Sequence, residues 1–167
     1  MTAPDTQVFE VDETAGYPNS SLPVLIYRRI FEPSSSALAE RFETLFAAHG
    51  WVPEWRYGLF AFDHFHSTAH EALGVFRGSA RVRLGGPAGG MFLIEAGDAL
   101  VLPAGVAHAG VEVESDFSMV GAYPPGQTWA VERGDPGGLA AVQARVAAVS
   151  RPPDDPVGGS LNVLWLL

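Results

Sequence analysis

Apolar residues in this chain follow two spacings, and the switches between them divide it into regions. "LPVLIYRRI" (22–30) is an apolar, β-branched run that predicts a strand. In "SSSALAERFETLFAAHG" (34–50), Leu38, Phe42, Leu45 and Phe46 recur every three or four residues, which predicts a helix packing one face on something flat. Ser36 or a neighbouring serine is placed to cap it, Glu40 lies in its first turns, and Gly50 follows the last periodic residue. From Arg56 to Tyr123 the runs shorten to 59–66, 71–77, 79–84, 91–95, 99–102, 111–113 and 117–123. Gly-, Pro- and Asp-containing turns separate them, the pattern of an antiparallel sandwich or barrel. Helical spacing returns in "DPGGLAAVQARVAAVSR" (135–151) through Leu139, Val142, Val146 and Val149. Residues 1–23 read as an extended arm with turn signals at "GYPNSS", and "RPPDDPVGG" (151–159) as a rigid polar connector. The closing "LNVLWLL" (161–167) is too apolar to hang in water and is expected as a final strand or a tail tucked against the body.

Composition narrows the function. The 167 residues suit one domain, and 47% hydrophobic with 17% charged residues is the balance of a folded globular protein. A net charge of −9 with only ten basic residues argues against nucleic acid, the cluster Arg77, Arg81 and Arg83 being too sparse to hold phosphates. With no cysteine, any metal must be held by histidine and carboxylate. The acidic start lacks the order of a signal peptide, and no uncharged apolar run approaches the ~20 residues of a membrane span. A soluble cytoplasmic protein without a membrane partner is expected.

The candidate chemistry begins at "HFHSTAHEALGVFRG" (64–78), which gathers three of the five histidines beside a carboxylate. In a strand, His64 and His66 project to one side and Phe65 to the other. After the "STA" turn, Glu71 opens the next apolar run and shares a face with Leu73 and Val75, so pairing of the two runs brings it back beside the imidazoles. His70 is one residue out of phase and should point away, as a surface residue or one that supports a ligand from behind. Phe60 and Phe62 share the histidine face, where they either wall a pocket or fill a small core. By itself the cluster is open to three readings: a metal site, an acid–base site, or a polar loop end. A second segment, "GDALVLPAGVAHAGVE" (97–112), adds a hairpin at Gly97 and Asp98, a buried strand, a tight turn and His108. "GGPAGG" (85–90) lacks the Lys-Ser/Thr ending of a phosphate loop and reads as a hairpin.

The two segments resemble the paired motifs of the cupin superfamily. Gly58, His64, His66, Glu71 and Gly78 match the first motif (Gly, five residues, His-x-His, three or four residues, Glu, six residues, Gly). Gly97, Pro103, Gly105 and His108 match the second, and Glu112 stands where that motif ends in Asn, at what is expected to be a turn. The resemblance covers about residues 56–123, with an arm and helix (1–55) before it and a helix and tail (124–167) after it. It implies an all-β, cupin-type jelly-roll β-barrel with two flanking α-helices. It also implies that His64, His66, Glu71 and His108 hold one divalent metal ion (Fe, Mn, Ni, Zn or Cu), leaving up to two positions free for a small oxygen-donor ligand. Phe60, Phe62, Leu73 and Val75 are the expected pocket walls, Tyr123 is the candidate acid–base residue, and a homodimer is the expected assembly. Cupins include dioxygenases, isomerases, decarboxylases and non-catalytic binders, so two functions stand. One is a metal-dependent enzyme acting on a small polar molecule such as a sugar, keto acid or aromatic acid. The other is a metal-containing binding or sensing module without turnover.

Overall fold

The chain is described by a computed structural model over residues 3–165. Strands β1 (Asp5–Phe9) and β2 (Ser20–Tyr27) form a hairpin, then helix α1 (Leu38–Ala48) leads into β3 (Val52–Tyr57). The strands β4 (Glu71–Arg77), β5 (Ser79–Leu84), β6 (Gly90–Glu95), β7 (Ala99–Leu102), β8 (His108–Val113) and β9 (Ser118–Tyr123) follow. Helices α2 (Leu139–Ala147) and α3 (Leu161–Leu164) complete the order. All pairings are antiparallel: a six-stranded sheet ordered β1-β2-β7-β4-β9-β3, and a three-stranded sheet ordered β6-β5-β8. The result is the mainly-β jelly-roll architecture of a cupin.

Packing explains which strands read as solid apolar runs. One cluster fills the space between the sheets, with Val24, Ile26, Leu73, Val75, Leu100, Leu102 and Met119 meeting Val82, Leu84 and Ile94. The large sheet's other face is also covered: Leu25, Ala72, Val101 and Val120 pack under Phe42 and Phe46 of α1 and under Trp51, Leu161 and Trp165. Strands buried on both faces lose the polar half of the alternation, as "ALVL" in β7 shows. β5 keeps it, with Ala80, Val82 and Leu84 inside and Arg81 and Arg83 turned outward.

Several expectations are corrected. Residues 59–66 are not a strand; they form a loop joined to the rest by isolated bridges at His64–His108 and Phe65–Glu132. The strand lies earlier, at β3, where Pro53 masks it. Proline is tolerated there because β3 is the sheet's edge, with a bulge between Pro53 and Trp55. The arm contributes the other edge, β1. No side chain caps α1; Ala37 occupies the cap position in the left-handed region. Of the two expectations for the tail, the tucked segment holds and the strand does not: α3 buries Leu161 and the Trp165 that follows it against the body, while Val163 is 69% exposed. Leu166 and Leu167 fall outside the described residues. Glu112 lies in β8, not in a turn, and faces solvent beside Arg81. No described helix is long and apolar enough to cross a membrane.

Candidate metal centre

Three segments converge at one end of the space between the sheets. His64 and His66 come from the loop between β3 and β4, Glu71 is the first residue of β4, and His108 the first of β8. The β4–β7 ladder sets Glu71 opposite Leu102, so the turn after β7 must return the chain at once toward His108. Gly105 makes that return with φ at +94°, and a Cβ there would fall 2.5 Å from the Asn19 carbonyl oxygen. Its N–H donates to the His66 carbonyl at 2.8 Å, and His64 and His108 exchange backbone hydrogen bonds at 3.1 and 2.9 Å. Asn19 adds a staple, its side chain bonding Glu10 and Gly85 carbonyls and the Ala107 N–H just before His108.

The imidazoles are held in a single sense. His64 Nδ1 donates to the Phe62 carbonyl at 3.0 Å, His66 Nδ1 to Ala130 at 2.7 Å and His108 Nδ1 to Val106 at 3.0 Å. A carbonyl only accepts, so each Nδ1 carries the proton and each Nε2 is left to face inward. The three rings offer nitrogens within 4.8 Å of one another, all on buried residues. Glu71 lies 3.2 Å from His66 Nε2 and 3.3 Å from His108 Nε2, toward that side of the group. Burial pushes the Glu71 carboxyl up, yet His66 and His108 outweigh it and hold the acid well below its usual range. Burial pushes His66 down, but the Glu71 charge reverses the balance and raises it. His64 lies farther from the carboxylate's help; burial and then His108 lower it to about 3. The Tyr123 hydroxyl donates to Glu71 and accepts from Trp55 Nε1 at 2.7 Å, which fixes the carboxylate's rotamer. Three inward-facing Nε2 atoms and one ionised carboxylate form an N/O set suited to a divalent cation, so the residues present fit a metal.

A cavity of about 430 Å³ opens over this group. Phe60, Leu73 and Tyr123 line it, as do Trp55, Tyr57, Leu59, Trp129 and Val131, with Glu54 and Arg56 as its charged members besides Glu71. Two expected wall residues are elsewhere. Phe62 stacks on Phe60 at 5.0 Å with the Arg133 guanidinium 4.2 Å over its ring, and Val75 sits in the apolar cluster between the sheets. Phe62 leaves the wall because its segment is a loop, where strand alternation does not apply. His70 points away from the centre as expected but is no surface residue: it is 2% exposed and packs 4.8 Å from the Trp165 ring. Its Nδ1 accepts from the Ala104 N–H at 2.8 Å, and burial lowers its pKa to about 4. The sequence reading missed Trp129, which stacks on Tyr123 at 5.5 Å and meets the edge of His66, and Glu132, which grips Ser67. Both lie in an irregular segment without periodicity, and a tryptophan amid small and polar residues was the one available signal.

No protein-family model matches the chain. Among solved structures it is similar to a DUF861 family protein from Thermotoga maritima (21% identity, 59% of this chain and 96% of that one, TM-score 0.37). It is also similar to an acireductone dioxygenase from Bacillus anthracis carrying cadmium in its active centre (14% identity, 65% and 82% coverage, TM-score 0.43). Both likenesses are partial, and the cupin architecture stands on this chain's strand order and on its two motifs meeting at one centre. In sequence it is 31% identical over 161 residues, 96% of this chain and 94% of its relative, to the uncharacterized protein YjlB of Bacillus subtilis (strain 168). That likeness extends over almost the whole chain, well beyond the residues of the two motifs, and the chain belongs to the YjlB family.

Proposed function

We propose that the chain holds one divalent metal ion through His64, His66, His108 and Glu71 and acts on a small organic acid with an apolar or aromatic body. The observation that carries this reading is the set of three Nδ1–carbonyl bonds, which aim three Nε2 atoms at the foot of an aromatic-walled cavity. When bound, the ion supplies Lewis acidity and open positions for water, dioxygen or a substrate oxygen. Around it the protein's tasks are distinct. Tyr123 keeps Glu71 oriented, Trp55 keeps Tyr123 oriented, and Trp129, Phe60 and Leu59 exclude water while offering faces to an apolar substrate. The scarcity of polar groups on this wall favours keto and aromatic acids over sugars, which need many hydrogen-bond partners.

One observation favours the second reading, a binding or sensing module without turnover. Burial and Glu71 push the Tyr123 phenol above its ordinary range, and its hydroxyl is engaged, so it is a poor proton shuttle at neutral pH. Two measurements separate the readings. Metal analysis and Co(II) spectroscopy should show about one ion per chain, with a spectrum that changes as phenylpyruvate or benzoate is added. Dioxygen uptake or loss of the acid should then follow in the metal-loaded protein. A spectral change without turnover selects the binder, and no uptake of any divalent ion overturns both.

A further inference from the structure

Residues 127–132 run antiparallel to the loop that carries His66 and are tied to it at almost every step. The Gln127 side-chain oxygen accepts from the His70 N–H at 3.0 Å, and the Thr128 carbonyl accepts from the Thr68 hydroxyl. The Ala130 carbonyl accepts from His66 Nδ1. Glu132 and Phe65 exchange both backbone bonds at 3.0 Å. The Glu132 carboxylate then closes on Ser67, taking its N–H at 2.6 Å and its hydroxyl at 2.8 Å. Arg145, reaching from α2, touches the same pair at 3.2 and 3.4 Å. Ser67 adjoins His66 and Glu132 lies two residues from Ala130, so the clamp closes beside the bond that fixes the His66 ring against its carbonyl.

We propose that residues 127–132 form a strap, and that the Glu132 carboxylate on Ser67 is the positioning group that holds His66 Nδ1 on Ala130 and so keeps Nε2 aimed at the metal position. Through Trp129 the same strap sets one wall of the cavity, tying metal affinity to substrate fit. Without the clamp the strap can lift, the Ala130 carbonyl withdraws, and the imidazole is free to rotate and to exchange its ring proton between nitrogens. Glu132 would act through Ser67, Ala130 and His66 and need not touch metal or substrate itself.

The molecule carries its own control. Glu114 grips Ser79 in the same manner, N–H at 3.2 Å and hydroxyl at 2.8 Å, and none of the residues that line the centre belongs to that pair. This inference rests on the proposed metal site, so its test has one readout with metal and one without. In Co(II) titrations of the full-length protein, Glu132→Ala should weaken binding about ten- to a hundredfold, the range seen when a partner of a ligating histidine is removed. Glu114→Ala should stay within twofold of wild type. In metal-free, 15N-labelled protein, the His66 Nδ1–H should appear as a slowly exchanging downfield ring proton in wild type and Glu114→Ala and vanish in Glu132→Ala. If Glu132→Ala does not fold, Glu132→Gln, which keeps the size but can satisfy only one of the two Ser67 donors as an acceptor, carries the same test with about a threefold loss. Unchanged Co(II) affinity with the ring proton retained overturns the proposal, as does an equal loss in Glu114→Ala. Wild-type protein that takes up no Co(II) fails the metal reading instead, and the ring proton still decides whether the clamp positions His66.

Discussion

His66 and His70 stand four residues apart, both almost fully buried, yet their surroundings assign them opposite roles. His66 donates from Nδ1 to a carbonyl and turns Nε2 toward the Glu71 carboxylate. His70 accepts at Nδ1 from the Ala104 N–H and lies against Trp165, on the face of the large sheet that α1 and the tail cover. The first is pushed toward the protonated state and the second away from it, to about 4. Burial alone therefore does not mark a ligand. What marks it is the partner on the second nitrogen: an acceptor on Nδ1 frees Nε2 for a cation, whereas a donor on Nδ1 consumes the lone pair and makes the ring a structural acceptor.

The largest effect should come from exchanging the two histidines' fates. His66→Ala or Glu71→Gln should abolish Co(II) uptake, while His70→Ala should leave the stoichiometry at one ion per chain and cost stability instead. Loss of metal in His70→Ala with retention in Glu71→Gln would reverse the roles assigned here. Next in size is the wall behind His70. Trp165 is buried, its indole N–H donates to the Pro23 carbonyl at 2.9 Å, and Trp165→Ala should cost about 3–5 kcal/mol in urea unfolding while metal still binds. A midpoint unchanged from wild type would show that the tail is idle.

Acid should then act through the imidazoles that burial keeps neutral. His64 and His70 are held neutral in the folded protein, at about 3 and about 4, so the unfolded chain takes up their protons first, near the reference ~6.5. Their contribution is intact above that value and is lost as pH falls through the window between it and the folded pKa. For His70 the loss approaches about 3 kcal/mol by pH 4, from the linkage of one pKa step to 1.36 kcal/mol. Metal should also be lost on acidification, since coordination needs neutral imidazole. In His70→Phe the absolute stability should drop, because the Ala104 N–H loses its acceptor, but the acid limb of the metal-free protein should flatten. A limb as steep as wild type would place the titration elsewhere. The smallest effect belongs to the cavity wall: Trp129→Ala should weaken benzoate binding to the Co(II) protein about fivefold, in line with an aromatic pair worth ~1 kcal/mol. Affinity unchanged within error would take Trp129 off the binding surface.

Much of the strand layout was legible because its signals are local. The runs 71–77, 79–84 and 99–102 are the bounds of β4, β5 and β7, since continuous apolarity and period-two alternation are both written within a few residues. The motif spacing likewise named His64, His66, Glu71 and His108, which the fold brings together. Where the sequence reading went astray, a local rhythm was overridden. "LFAFDHFH" alternates like a strand, yet it crosses the mouth between the sheets, where a partner strand exists only at single bridges.

Alternation and spacing thus determined most of the strands and the apolar faces of the helices, and the resemblance of the two motifs to the cupin pair named four converging side chains. Only the tertiary structure decided that Phe62 leaves the cavity wall and Trp129 joins it, that His70 is an inner acceptor, and that Glu132 reaches back to Ser67. Each of those outcomes depends on a contact between segments far apart in the chain. The geometry that creates such a contact belongs to how the sheets, strap and tail pack, and it leaves no periodic trace in either partner's own neighbourhood.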